Sequence, residues 1–183
     1  MSQSQEPQEQ GQIKLLWRPT RESIEQSRMY AFARRIEQKY DVVLPDYASL
    51  HAWSIENLED FWKEVWEWFG IVASKTSDQV LTTRETPGAK WFPGACLNYA
   101  ENSLRAAKTR PNDVAIIGDH ETAERTETTW ADLEAQVASL AKKLRDLGVE
   151  PGDRIAAVLP NIPETVVALM ATASVGAISV SYT

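Results

Sequence analysis

A chain of 183 residues that is 43% hydrophobic is long enough to bury a sizeable core and is ordinary for a globular protein. Its formal net charge of −7 argues against a nucleic-acid binder, which normally presents a basic face. A single cysteine, Cys96, excludes an intramolecular disulfide and fits a reducing compartment.

The opening MSQSQEPQEQGQ lacks the basic start and apolar centre of a signal peptide, and no Arg-rich transit segment is visible. Residues 1–12 are expected to be a disordered tail, and the default address is the cytoplasm. No apolar run reaches the roughly 20 residues of a membrane span; the best candidate, Thr165–Val180, is interrupted by Gly176. Leu15-Leu16-Trp17 precedes Pro19, and Trp17 is expected to anchor the tail against the domain.

Residues 13–89 are expected to form a helical, aromatic-rich leading segment, and 90–183 the start of a large α/β domain. Thr20 to Tyr40 predicts one helix, capped by Thr20, with Met29, Phe32, Ala33, Ile36 and Tyr40 on its buried face. Glu22, Glu25, Arg28, Arg34, Arg35 and Glu37 read as its solvated side. Asp41 to Asp46 is a connector. HAWSIENLEDFWKEVWEWFG, His51 to Gly70, predicts a helix capped by Asn57 or Asp60, with Leu58, Phe61, Trp62, Val65, Trp68 and Phe69 on one broad face. A membrane-surface helix would want basic residues, and Lys63 is alone among acids. A ligand-stacking surface would want convergent polar groups, and none accompanies the rings. Packing of the aromatics onto the rest of the chain is the favoured reading. His51 has no partner at metal-ligand spacing, and His120 sits in a polar turn.

Ser74 to Ala89 is turn-rich and closes at Pro87-Gly88. KWFPGACLNYAENSLRAA follows, with a Pro93-Gly94 turn and a helix from Asn98 to Ala107 carrying Leu97, Ala100, Leu104 and Ala107 on one side. Asn98 and Glu101 make its cap pair. Val114–Ile117 predicts a strand stopped by Gly118-Asp119, and Glu121–Thr128 a second hairpin strand. Thr129 and Asp132 cap the next helix, whose stripe is Trp130, Leu133, Val137, Leu140, Ala141, Leu144 and Leu147. Lys142, Lys143 and Arg145 suit its carboxyl end, and Gly148 its left-handed stop. After the Pro151-Gly152-Asp153 turn, RIAAVLP reads as a strand buried on both faces, Glu164–Val175 as a helix led by Pro163, and Ala177–Tyr182 as a parallel strand. The fold class is α/β: a parallel βαβ unit in an incomplete layered sheet, preceded by helices.

Chemistry is sparse. The chain carries no G-x-x-x-x-G-K-[ST] loop and no G-x-G-x-x-G after a strand. Two distant histidines give a Ser–His–Asp set no support. No carboxylate pair lies in an apolar context. Cys96, before a helix and without a neighbouring histidine, reads as a buried or incidental thiol.

FWKEVWEWFG, WFPGACLNYAEN and GVEPGDRIAAVLPNIPETVVALMATASVGAIS together resemble the N-terminal part of the adenylate-forming acyl-CoA synthetases, in the acetyl-CoA synthetase-like group. The likeness runs from about Tyr47 to Ile178, and the acetoacetate-using branch is the nearest in pattern. WFPGACLNYAEN is its specific piece; the later stretch is typical of the whole superfamily. Cys96 stands where arginine is common in that branch, and the run Ser179–Thr183 departs from a Trp-Ser-Ser-containing one. The resemblance implies a two-step ligase reaction: a carboxylate attacks the α-phosphate of ATP, giving an acyl-adenylate and pyrophosphate, and CoA then displaces AMP. It implies ATP, CoA and ATP-bound magnesium for the complete enzyme, with the catalytic groups downstream, so no catalytic, cofactor-binding or metal residue is carried over to this chain. Trp91, Phe92, Pro93, Gly94, Asn98, Tyr99 and Asn102 are expected to be structural, pinning the leading segment onto the large domain. Two other expectations compete: a truncated, non-catalytic product that binds a partner or itself through an uncovered sheet, and an unrelated nucleotide-binding domain, against which the absent phosphate loop counts. If these residues stand alone, Ile155, Val158, Val166 and Met170 are expected to expose apolar faces.

Overall fold

The computed structural model describes residues 16–119 and 124–182, arranged as two compact units, one ending at Trp68 and the other starting at Phe69. The expected tail of residues 1–12, Leu15, His120, the first part of the expected strand Glu121–Thr128, and Thr183 lie outside the described residues.

The first unit is helical: α1 (Arg21–Glu25), α2 (Arg28–Tyr40), α3 (Tyr47–Glu56) and α4 (Leu58–Trp68). The single helix expected from Thr20 to Tyr40 is two. Thr20 caps the first by accepting from Ser23 N–H, and Ser27 caps the second by accepting from Tyr30 N–H, so an extended Ser27 interrupts the run. The aromatic segment is also divided. Asn57 ends α3, its side-chain amide donating to Trp53 O, and α4 begins one residue later. An unforeseen capping box starts α3, with Ser49 N–H donating to Asp46 Oδ1 at 2.8 Å and Asp46 N–H to Ser49 Oγ at 3.2 Å.

Phe32, Ala33, Ile36, Leu44, Leu50 and Trp53 are the buried core of this unit, with Tyr40, Val42, Phe61 and Val65 packed against it. The ring of Phe32 meets Phe61 and Trp68 edge-on at 6.0 and 5.7 Å, and Tyr40 meets Trp53 at 5.1 Å. Phe61 and Val65 make α4 a packing helix, but Trp62, Trp68 and Phe69, expected on the same packed face, are 39%, 36% and 49% exposed. Met29, expected inside, is half exposed, and Trp17 is 74% exposed, so it does not anchor the tail.

The second unit contains α5 (Tyr99–Ser103), α6 (Ala106–Thr109), β1 (Val114–Gly118), β2 (Thr126–Thr129), α7 (Trp130–Asp146), β3 (Arg154–Val158), α8 (Pro163–Ser174) and β4 (Ile178–Tyr182). β1 and β2 pair antiparallel; β3 and β4 pair parallel, with Arg154 opposite Ile178. This is a mixed α/β fold with a βαβ unit. The helix expected from Asn98 to Ala107 breaks at Leu104-Arg105 into α5 and α6.

α7 behaves as its period demands. Leu133, Val137 and Ala141 are buried against Val167, Ala171 and Val175 of α8 and its end. Thr129 Oγ1 accepts from Asp132 N–H and donates to Asp132 Oδ2 at 2.6 Å. Leu147 leaves the stripe and is 68% exposed, because Gly148, at φ 85°, turns the chain away. The strand β3 is not buried on both faces. Its residues alternate between exposed and half-buried, ending at Val158, 78% exposed, because β4 is the only strand paired with it among the described residues. Ile155, Val166 and Met170 are half-buried.

Candidate functional site

The stretch Trp91–Asn102 is the best-specified part of the chain. It begins with two backbone positions in the left-handed region: Phe92 at φ 43° and Gly94 at φ 78°. Such a value is ordinary for glycine and uncommon for phenylalanine, so the turn is held by its surroundings. Phe92 N–H donates to Val80 O at 2.7 Å, Ala95 N–H to Phe92 O at 3.0 Å, and Cys96 N–H to Lys75 O at 2.9 Å. These bonds tie the turn to the Ser74–Ala89 stretch, where Leu81 is buried.

Two amides then join three segments. Asn98 Oδ1 accepts from Glu101 N–H, capping α5, while Asn98 Nδ2 donates at 2.9 Å to the carbonyl of Ala173, 75 residues away near the end of α8. Asn102 Oδ1 accepts from Val72 N–H and its Nδ2 donates to Val72 O, both at 2.9 Å, and to Asn98 O at 3.0 Å. Arg105 adds donations to the carbonyls of Phe69, Gly70 and Asn102. Every one of these partners is a backbone group. The amides are committed to holding chain segments together, which is a positioning chemistry.

Asn98, Leu104, Arg105, Val137, Ala141 and Arg145 are among the walls of an open groove of about 440 Å³ between α5–α6 and α7. Its charged lining mixes Arg105, Lys108 and Arg145 with Glu101 and Glu134, and no acid–base or nucleophile set converges there. Trp91, Leu97 and Tyr99, from the same stretch, are 42%, 51% and 62% exposed. Cys96, read from the sequence as a buried or incidental thiol, is exposed. His51 stacks on Tyr47 with ring centroids 6.0 Å apart. Among the described residues no group of three or more His, Cys, Asp or Glu side chains is arranged to hold a metal ion.

The strongest electrostatic feature lies in the first unit and was not foreseen. Glu64 of α4 is fully buried. It accepts from Arg35 Nε at 2.8 Å, from Lys39 Nζ, and from Tyr40 OH at 3.2 Å; Glu67 accepts from Arg35 Nη2 at 3.0 Å and from Lys39 Nζ at 2.9 Å. Burial pushes the Glu64 pKa up, but the Lys39 ammonium and the Arg35 guanidinium outweigh it and hold the carboxyl below its ordinary range. Hydrogen bonds to Glu64, then to Glu67, raise Lys39; the bond to Glu64 raises Arg35. Burial, with the charges of Glu64 and Asp60, pushes the Tyr40 hydroxyl up to about 12. The polar face of α2 is therefore not simply solvated. Arg35 and Lys39 clamp α4, while Arg34 pairs with Glu37, whose Oε1 accepts from Leu44 N–H at 2.6 Å. The available signal was Glu64 itself, a carboxylate three residues after Phe61 and four before Trp68 on the apolar face of α4.

Residues 47–103 match the family model of the acetyl-coenzyme A synthetase N-terminus, and residues 104–182 match that of AMP-binding enzymes. Among similar proteins are an acetoacetyl-CoA synthetase of Xenopus tropicalis, 39% identical over 91% of this chain and 25% of that protein, and one of Rhizobium meliloti, 38% identical over 89% and 25%. A malonamoyl-CoA synthetase of Penicillium aethiopicum is 35% identical over 94% of this chain and 24% of its own length. The solved acetoacetyl-CoA synthetase from Streptomyces lividans superposes with a TM-score of 0.88 at 48% identity, over 93% of this chain and 26% of that one. The chain belongs to the AMP-binding acyl-CoA synthetase family and corresponds to the N-terminal region of its acetoacetyl-CoA synthetase members. It spans about a quarter of the length of the relatives it matches.

Proposed function

We propose that these residues are the N-terminal portion of an ATP-dependent acid–CoA ligase that converts acetoacetate, ATP and CoA into acetoacetyl-CoA, AMP and pyrophosphate through an acyl-adenylate. The observation that carries this reading is the 48% identity and TM-score of 0.88 to the Streptomyces lividans acetoacetyl-CoA synthetase. ATP, CoA and the acid are substrates of the complete enzyme, and magnesium accompanies ATP. The described residues offer no ligand cluster for that ion, so no metal step is assigned to them. The contribution of this chain is architectural: Asn98, Asn102 and Arg105 fasten the Phe69–Val72 segment and α5 to the α8 layer. Residues 13–89 lead into the large domain begun at residue 90, and a cytoplasmic address belongs to the same reading. Among the described residues no helix is long and apolar enough to cross a membrane.

Pyrophosphate release is the assay. The isolated 183-residue chain, given acetoacetate, ATP and CoA, is expected to give none. The full-length gene product is expected to turn over with acetoacetate in preference to acetate or malonamate. Turnover by the isolated chain overturns the architectural role, and preference of the full-length product for another acid overturns the acetoacetate assignment. A second reading concerns the isolated chain alone: Val158, 78% exposed, and Ile178, 48% exposed, lie on one bare face of its parallel pair, and this uncovered sheet would self-associate. Sedimentation at rising concentration tests it, and a monomer throughout refutes it.

A further inference from the structure

We propose that Asn98 is a positioning residue for the ligase reaction, acting through the point at which α8 ends and β4 begins. The proposal rests on the ligase reading above. Asn98 Nδ2 donates to Ala173 O at 2.9 Å, one residue before the last residue of α8. From there to the start of β4 the backbone is closely bonded. Gly176 N–H donates to Ala173 O at 3.0 Å, Ala177 N–H to Thr172 O at 3.1 Å, Gly152 N–H to Gly176 O at 2.9 Å, and Ile178 N–H to Asp153 O at 2.7 Å. Gly176, at φ 76°, sits in left-handed backbone that disfavours a side chain, and a Cβ there would crowd Pro151 Cβ at 3.2 Å. The carbonyl of Ala173 thus takes the Gly176 amide and the Asn98 amide together. The first bond makes the turn; the second fixes the turn to α5.

β4 leaves that turn in register with β3 along its whole length, Ile178 opposite Arg154 and Tyr182 opposite Val158. Its carboxyl end therefore lies beside the carboxyl end of β3 and the Pro160–Ile162 loop that opens α8. In layered α/β sheets ligands sit at the carboxyl ends of the parallel strands. A rigid strand of five residues carries a displacement at its first residue through to its last, roughly 13 Å along at about 3.3 Å per residue. Misplacement by about 1 Å of a group that aligns reactants costs on the order of a hundredfold in rate. Asn98 is itself held from behind, because Asn102 Nδ2 donates to Asn98 O at 3.0 Å while the same amide grips Val72 through both its N–H and its carbonyl.

The test separates position from stability in the full-length gene product. Asn98→Asp keeps the oxygen that caps α5 and removes the donor to Ala173. Thr129→Ala removes the cap of α7, a stability loss of the same kind that does not touch the end of α8. Hydrogen exchange at the amides of 178–182, and kcat/KM at a temperature where circular dichroism shows both variants fully folded, are the readouts. In Asn98→Asp, protection of β4 falls while that of α7 is kept, and kcat/KM drops by about tenfold or more. In Thr129→Ala, β4 protection is kept and kcat/KM stays within about twofold of the parent. Unchanged β4 protection in Asn98→Asp, or equal kcat/KM losses in the two variants, overturns the proposal. If Asn98→Asp does not fold, Asn98→Ser, which keeps a short capping oxygen but cannot span to Ala173, replaces it with the same expectations. The exchange readout needs no turnover, so an inactive parent would refute the ligase reading while the positioning claim is still decided by β4.

Discussion

Replacing Glu64 tests whether the helical unit is held by this carboxylate, the one that is fully buried among its described residues. Breaking a buried ion pair by removing one partner costs about 3–5 kcal/mol when the other charge is left without water. Here the orphaned cations are not dry: Arg35 is 38% and Lys39 40% exposed, and both keep Glu67. Hydration and the surviving partner reduce the expected loss for Glu64→Ala to about 2–3 kcal/mol, part of it from the space the side chain leaves. Glu64→Gln keeps the shape and loses the charge, for about 1–2 kcal/mol. Glu67→Ala, at a carboxylate 38% exposed, should cost no more than about 1 kcal/mol. Urea unfolding followed by tryptophan fluorescence reads the first unit well, because Trp53, Trp62, Trp66 and Trp68 all belong to it. The pH dependence has a definite sign. The folded Glu64 pKa is depressed, so its contribution is present above the ordinary glutamate value of about 4.3 and is lost as pH falls through the lower folded value. The gap between parent and Glu64→Gln should be widest near neutrality and close in that acid window. If Glu64→Ala costs no more than Glu67→Ala, or if the gap to Glu64→Gln is flat from neutral pH to strong acid, the clamp is not what holds α2 to α4.

Gly118→Ala should destabilise by about 1–3 kcal/mol, since its Cβ would sit 2.6 Å from Thr126 Oγ1 and 3.0 Å from Pro163 Cγ; a thermal midpoint unchanged from the parent counts against that packing. Trp91→Ala, which the sequence alone would put at about 3–5 kcal/mol for a buried ring, should cost about 1–2 kcal/mol because Trp91 is 42% exposed, as chemical denaturation can check. Tyr40 should stay protonated through pH 10 in an ultraviolet titration and ionise only near 12. The sign is that of a raised pKa: the stability linked to Tyr40 is whole below the ordinary tyrosine value of about 10 and is lost as pH climbs through the folded one.

The periodic elements were legible. α7 and α8 were readable from their apolar spacing, β1, β3 and β4 from short β-prone runs between turn residues, and the Thr129 and Asn98 caps from residue type alone. Interruptions without glycine or proline were not. Ser27 divides one amphipathic run, and its only local mark is a hydroxyl that also suits a helix surface. The Asp46–Ser49 box was written in the sequence, but Ser at its fourth position is a weaker sign than Glu. Burial of β3 was overestimated because an apolar run states what a strand tolerates, not how many neighbours it has. Glu64 shows the same limit. Its place within an apolar stripe was visible, yet its partners Arg35 and Lys39 lie on another helix, 29 and 25 residues away.

The most recognisable stretch of the chain, WFPGACLNYAEN, owes its specificity to geometry, and that explains how a segment with no reacting group can be so particular. Phe92 and Gly94 occupy left-handed backbone that few residue types accept. At Asn98 an aspartate could cap α5 but could not donate to Ala173, and an alanine could do neither. At Asn102 the side chain must accept from Val72 N–H and donate to two carbonyls together, which among short side chains only an amide does. Apolar periodicity brings α7 and α8 face to face but allows neighbouring registers of similar burial. The Asn98 bond to Ala173 O fixes instead where the end of α8 lies against α5, because a slip of one residue would break that part-buried hydrogen bond at about 1 kcal/mol. Residue identity is most restricted where one side chain must satisfy several backbone groups at once, and that condition is met at the junction of Val72, α5 and α8.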